Sequence, residues 1–86
     1  MSDLTGAFEK AQQDIKTLTK RPSNDDLAFL YGHFKQATVG DVTGSKPGRF
    51  DLVGRAKYDS WAKLTGLNTE EAMRHYIDKV AALLAK

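Results

Sequence analysis

Tyr31 and Lys35 stand at i and i+4 in a stretch whose apolar stripe runs Leu27, Leu30, Tyr31, Phe34 and Thr38. That register puts a lysine on the face the stripe assigns to the interior. Buried lysines are rare unless paired, so Lys35 either snorkels past the rim, the commoner outcome, or meets an anionic ligand. Lys57 directly precedes Tyr58, Lys16 follows Ile15 of another stripe, and Tyr76 lies on a third. Cations beside rings are what a phosphorylated aromatic ligand requires: charge for the phosphate, π faces for the base. Each aromatic taken singly reads as core, and only the coincidence with lysines near the same stripes favours a ligand.

Other chemistries find less support. Gly40-Asp41-Val42-Thr43-Gly44-Ser45-Lys46 has the glycines and the lysine of a phosphate loop, but its Gly-to-Gly spacing is short and Ser precedes Lys, so it reads as a turn. His33 and His75 are 42 residues apart and the chain has 0 Cys, so a metal site would need carboxylates at positions no motif supports. No metal or cofactor is expected. His75 has Glu71 four residues before it and Asp78 three after, which could orient a base. Without a Ser or Thr nucleophile in a recognisable motif, it reads as a solvated helix face. No catalytic residue is assigned, and an enzyme is not expected.

The elements that must position these residues are helical. Ala (10) and Leu (9) outnumber Val (4) plus Ile (2), which favours an all-α class. Leu4, Phe8, Ala11, Ile15 and Leu18 mark a first helix that stops in Lys20-Arg21-Pro22, since the residue before Pro is pushed out of the helical region. Ser23 is placed to cap a second helix, with Asp25 and Asp26 on the positive end of its dipole, and this helix runs out before Gly40. From Gly40 to Val53 the periodicity vanishes, and 14 residues exceed the usual helix connection in a bundle, so the segment reads as a crossover loop. A short third helix is expected from Gly54 to Leu64, carrying Tyr58, Trp61 and Ala62 and ended by Gly66. Asn68 begins a fourth with Glu71 in a capping box and a stripe of Met73, Tyr76, Ile77, Val80, Leu83 and Leu84.

Size and charge bound the rest. The 86 residues allow one small domain, 1–86, and the 41% hydrophobic content is that of a chain that folds. The absence of cysteine agrees with a reducing compartment. The start Met1-Ser2-Asp3-Leu4-Thr5 lacks the charged and apolar regions of a targeting signal, so the expected address is cytoplasmic. The longest aliphatic run, Val80 to Ala85, is far below the ~20 residues of a spanning helix, and no stable membrane insertion is expected. A net charge of +2 is too small for a nucleic-acid binder.

Tyr31-Gly32-His33-Phe34-Lys35-Gln36-Ala37-Thr38-Val39-Gly40-Asp41 resembles the acyl-CoA-binding protein family. The likeness extends through Pro47-Gly48, through Asp51-Leu52-Val53-Gly54-Arg55-Ala56-Lys57-Tyr58-Asp59-Ser60-Trp61, and into Glu71-Ala72-Met73, Tyr76 and Ile77, collinear from about Phe8 to Val80. The resemblance implies a four-helix bundle in up-down-down-up order, which the long loop independently permits. It implies a monomeric carrier and pool buffer that binds long-chain acyl-CoA 1:1 without turning it over and can pass it to acyl-CoA-using enzymes. By the same resemblance the 3′-phosphate falls to Tyr31, Lys35 and Lys57, and adenine to Lys16, Phe34 and Tyr76. The acyl and pantetheine portions fall to Phe8, Ala11, Leu27, Ala28, Ala56 and Tyr58. Three positions depart from the family pattern: Phe34 stands where Tyr is common, Tyr58 where Trp is, and Val53 where Lys is frequent.

Three other functions fit the sequence less well. A helical protein-interaction module is the main alternative, but its peptide groove would favour exposed apolar anchors over lysines and tyrosines on inward stripes. A nucleic-acid binder needs a stronger basic face. A thioester hydrolase needs a nucleophile and a positioned base, and the residues supply neither.

Overall fold

The computed structural model describes residues 3–86; Met1 and Ser2, which open the segment read for a targeting signal, lie outside the described residues. Four helices form, and no strand occurs among the described residues. α1 (Leu4–Asp14) starts where the Asp3 carboxylate accepts the Gly6 amide at 2.9 Å. α1 is shorter than its apolar stripe. At Ile15–Thr17 the backbone tightens into a 3₁₀ turn, the Thr17 hydroxyl donates to the Asp14 carbonyl at 2.6 Å, and Leu18 is extended. Ile15 and Leu18 still pack against the core, so the stripe outlasts the helix and misplaces its end.

α2 (Asn24–Thr38) begins as its sequence requires, with the Ser23 hydroxyl accepting the Asp26 amide at 3.1 Å and Asp25 and Asp26 in the first turn. Its end is closed by Gly40 at φ +98°, whose amide reaches the Lys35 carbonyl at 3.2 Å, a left-handed position natural to glycine. Thr38, expected on the interior stripe, is exposed and donates its hydroxyl to the Phe34 carbonyl at 2.8 Å.

α3 (Leu52–Ala62) begins two residues before the expected Gly54, because the Asp51 carboxylate caps it through the Gly54 amide at 2.9 Å. After Ala62 the chain continues in turns to Gly66, at φ +92°. α4 (Thr69–Leu84) has the expected cap, Asn68 Oδ1 to the Glu71 amide at 2.8 Å. Its buried residues are Ala72, Tyr76, Val80 and Leu83, whereas Leu84 is exposed.

Named contacts fix the direction of each helix. Asp26 near the start of α2 pairs with Lys79 near the end of α4 at 2.7 Å, while Gln36 near the end of α2 bonds the Leu67 carbonyl just before α4, so these two helices are antiparallel. Leu27 and Ala28 in early α2 share a groove with Leu52 and Ala56 in early α3, and Trp61 in late α3 bonds the Gly40 carbonyl after α2, so this pair is parallel. Asp3 to Thr5 lie beside Thr69 and Met73, which makes α1 parallel to α4. The order is up-down-down-up. The main helix contacts are α3 with α2, α2 with α4 and α4 with α1, a row across a body of 40 × 31 × 15 Å.

Two features hold α3 and its flanking loops against that row. A Cβ at Gly32 would stand 2.7 Å from the Ser60 carbonyl oxygen, so the α2 and α3 backbones approach as only glycine permits. The second is a polar tie between buried Gln36 and exposed Asp41. The Gln36 amide nitrogen donates to Asp41 Oδ1 at 2.8 Å and to the Leu67 carbonyl at 2.9 Å, and the Gly66 amide donates to the same Asp41 oxygen at 2.8 Å. These acceptors set the amide's orientation and leave its Oε1 without a partner among the described residues.

Two outcomes follow from this packing. Gly32→Ala would gain up to ~1 kcal/mol from helix propensity but lose ~1–3 kcal/mol to overpacking, so denaturant titration should show net destabilisation. The Gly66 amide and then the Gln36 amide hold the Asp41 carboxyl below its ordinary value. A depressed folded value means that its stabilisation is complete above about pH 4 and is lost as pH falls through the folded pKa. Asp41→Asn should therefore flatten the acid limb of melting temperature against pH. Some slope should persist, because Lys79 first, with the Ser23 hydroxyl, likewise depresses Asp26.

Candidate functional site

The groove between α2 and α3 encloses about 590 Å³ and has an aliphatic floor. Leu27 and Ala28 come from one turn of α2, and Leu52, Val53 and Ala56 from the first turns of α3; Arg21, Asn24 and Lys57 complete its edge. The parallel arrangement of α2 and α3 brings these first turns together. The volume falls within the roughly 300–1,000 Å³ of small-molecule sites.

Cations and rings meet along the α2–α3 seam, and one of the cations, Lys57, also edges the groove. The Lys57 ammonium lies 5.4 Å from the centroid of the Tyr31 ring, and the Lys35 ammonium 5.0 Å from that of Trp61, both within cation–π range. Lys35 is half-buried, its stem along the α2–α3 seam and its head on an aromatic face, which is the snorkelling arrangement with a ring as its resting place. Trp61 is itself buried and donates its indole N–H to the Gly40 carbonyl at 2.7 Å. Tyr58 points along the loop, its hydroxyl donating to the Gly44 carbonyl at 3.3 Å.

A second cluster joins the other helices. Phe8 of α1 lies edge-on to Tyr76 of α4 at 5.1 Å and stacks with Phe34 of α2 at 6.1 Å, and Phe34 and Tyr76 are 6.4 Å apart. Phe8 and Tyr76 are buried, Phe34 partly so, and burial raises the Tyr76 hydroxyl above its ordinary pKa. Ala11 is buried in the same core, and Lys16 is exposed in the 3₁₀ turn.

Of the residues singled out in the sequence, the structure thus gathers Leu27, Ala28, Ala56 and Lys57 in one groove, with Tyr31 against Lys57 and Lys35 one turn further along α2. Phe8, Ala11, Phe34 and Tyr76 belong to the aromatic core instead, and the groove lining does not include them. By its sequence Arg21 marks only the end of the first helix, yet its guanidinium lies on the groove edge, held by Asn24 Oδ1 at 3.0 Å. A basic residue two positions before a capping Ser is placed beside the first turn of the following helix, and that spacing was the available signal.

The two histidines, distant in sequence, have ring centroids 5.4 Å apart. His33 is buried and stacked on Phe29, its Nδ1 2.8 Å from the Phe29 carbonyl; since a carbonyl only accepts, Nδ1 carries the proton. Desolvation is the main cause that lowers its pKa, with the nearby His75 acting in the same direction. Among the described residues no group of three or more His, Cys, Asp or Glu is arranged to hold a metal ion.

The Acyl CoA binding protein family model matches residues 5–80 of the chain. An acyl-CoA-binding protein of Brassica napus is 53% identical over 77 residues, covering 90% of this chain and 84% of that protein. Acyl-CoA-binding protein homolog 1 of Caenorhabditis elegans is 47% identical over 83 residues, covering 96% of each chain. The crystal structure of Oryza sativa acyl-CoA-binding protein 2 superposes with a TM-score of 0.91 at 48% identity, covering 95% of this chain and 89% of that one. The family model spans residues 5–80 and these relatives are close to half identical over nearly the whole length, so the chain belongs to the acyl-CoA-binding protein family.

Proposed function

We propose that the chain, 1–86 acting as one binding domain, takes up long-chain fatty acyl-CoA 1:1 and serves as a monomeric cytoplasmic carrier and pool buffer that can deliver its load to acyl-CoA-using enzymes. The observation that carries this reading is the Lys57–Tyr31 pair at the edge of an aliphatic groove, because an amphipathic anion needs charge and apolar shelter side by side. Burying an acyl chain is worth about 0.8 kcal/mol per CH₂, enough for a small groove to hold a ligand that water rejects.

Leu27, Ala28 and Ala56 shelter the chain, with Leu52 and Val53 adding apolar surface, and Tyr58 from α3 with Phe8 and Ala11 from the core support the pantetheine and acyl portions. Lys57 and Lys35, with Tyr31, take the 3′-phosphate. Both ammonium groups rest on rings, a weaker interaction than a charge-assisted hydrogen bond, so an arriving phosphate oxygen draws them off at a net gain. Phe34, Tyr76 and Lys16 form the adenine side of the site. Phe34 offers a π face but no hydroxyl, so one hydrogen bond of ~0.5–1.5 kcal/mol available to a Tyr is forgone there. Val53 exchanges a cation for aliphatic surface at the groove mouth.

No turnover is proposed. His33 spends its Nδ1 proton on the Phe29 carbonyl within its own helix, and neither histidine lines the groove. A bound thioester would therefore face aliphatic carbon rather than a base and nucleophile.

Two titrations test the reading. Affinity should rise with acyl length and then level as the groove floor fills, with free CoA far weaker; equal affinities by calorimetry for CoA, an 8-carbon ester and a 16-carbon ester would refute the sheltering role. Lys57→Ala should weaken binding of a 16-carbon acyl-CoA by about tenfold or more, the worth of a charge-assisted hydrogen bond at ~1.5–3 kcal/mol. The same variant should lose little toward the 3′-dephospho ligand, a comparison that isolates the lysine–phosphate pair.

A further inference from the structure

The five residues Arg49-Phe50-Asp51-Leu52-Val53 close the loop and open α3, and they turn three large apolar side chains outward. Phe50 is 92% exposed, Leu52 75% and Val53 67%. Scattered exposed apolar residues are ordinary, but contiguous ones at a tip are not. Leu52 and Val53 also line the α2–α3 groove, so two of the three exposed apolar side chains belong to the groove mouth.

Charge is concentrated at the same place. Residues 46–57 contain Lys46, Arg49, Arg55 and Lys57 against Asp51 alone, whereas the rest of the chain has nine basic and ten acidic residues, so the whole positive excess belongs to this segment. Asp51 is occupied in capping α3, and Lys46 is paired with Asp59 at 2.9 Å. Arg49 is exposed beside Phe50, and Arg21 and Lys57 edge the groove behind it.

We propose that this tip is a peripheral docking wedge for an anionic lipid bilayer. Phe50 and Leu52 seat among the acyl chains, Arg49 and Arg21 face the headgroup phosphates, and the groove mouth opens onto the membrane surface. An apolar tip surrounded by cations meets hydrocarbon and negative charge together at such a bilayer, and the small buried area keeps docking reversible. The docking is argued from the surface alone; its use, passing acyl-CoA between bilayer and groove, rests on the carrier reading.

Flotation with vesicles of phosphatidylcholine alone and of phosphatidylcholine containing about one-third phosphatidylserine tests it. The protein should bind the anionic vesicles, less well as salt rises. Arg49→Ala should weaken binding roughly fivefold, and Phe50→Asp roughly tenfold or more, with Phe50→Ser intermediate. Because Phe50 lies outside the groove lining, both Phe50 variants should keep the solution affinity for a 16-carbon acyl-CoA within about twofold. Loss of solution binding by the unaltered protein would sink the carrier reading and leave the wedge standing. Failure of the unaltered protein to bind anionic vesicles, or undiminished binding by Phe50→Asp, would overturn the wedge. Concentration-dependent self-association in sedimentation velocity that Phe50→Asp abolishes would assign the patch to a second copy of the chain and overturn it equally.

Discussion

α3 has one helix to lean on. In the row α3, α2, α4, α1 it packs against α2, and the seam closes only because Gly32 presents no side chain to the Ser60 carbonyl. The groove exists as a consequence of this seam. It is the space left where two parallel helices touch closely at Gly32 and separate toward their first turns, where Leu27 and Ala28 face Leu52 and Ala56. A wider seam would move Lys57 off Tyr31 and Lys35 off Trp61 together, because each cation–ring pair spans the same two helices.

The loop that permits a parallel pair is held down by polar contacts rather than by an apolar core. Val39 is exposed and so are most residues from 41 to 51, yet Trp61 bonds the Gly40 carbonyl, Tyr58 the Gly44 carbonyl and Arg55 the Pro47 carbonyl at 3.3 Å. All three donors belong to α3. The loop therefore secures the helix that it delivers, and the Gln36–Asp41–Gly66 tie secures the opposite end. A chain without disulfides gains order in its longest irregular segment by satisfying backbone carbonyls one at a time.

Local chemistry was legible in the sequence where one side chain decides the outcome. Ser23 and Asn68 cap α2 and α4 as their positions require, and the length of the Gly40 to Val53 segment anticipated a crossover. Boundaries set by competition were not legible: the α1 stripe continues through a 3₁₀ turn, and Asp51 starts α3 earlier than the glycine pattern suggested. In the site, Lys35 was conspicuous as a cation on an apolar stripe. That its head rests on Trp61, 26 positions later in the chain, depends on the α2–α3 seam and could not be read from spacing. The approach of His33 to His75 is equally a product of antiparallel packing between α2 and α4.

Trp61 is the chain's single tryptophan, and it is buried, hydrogen-bonded to a carbonyl and capped by an ammonium group. An indole's emission follows the electric field across its ring, and a positive charge about 5 Å from the centroid is a large part of that field. Any anion that draws Lys35 away changes the field at once, without requiring the backbone to move. The molecule thus contains its own optical gauge of charge on the α2–α3 seam, readable in dilute solution with no label attached.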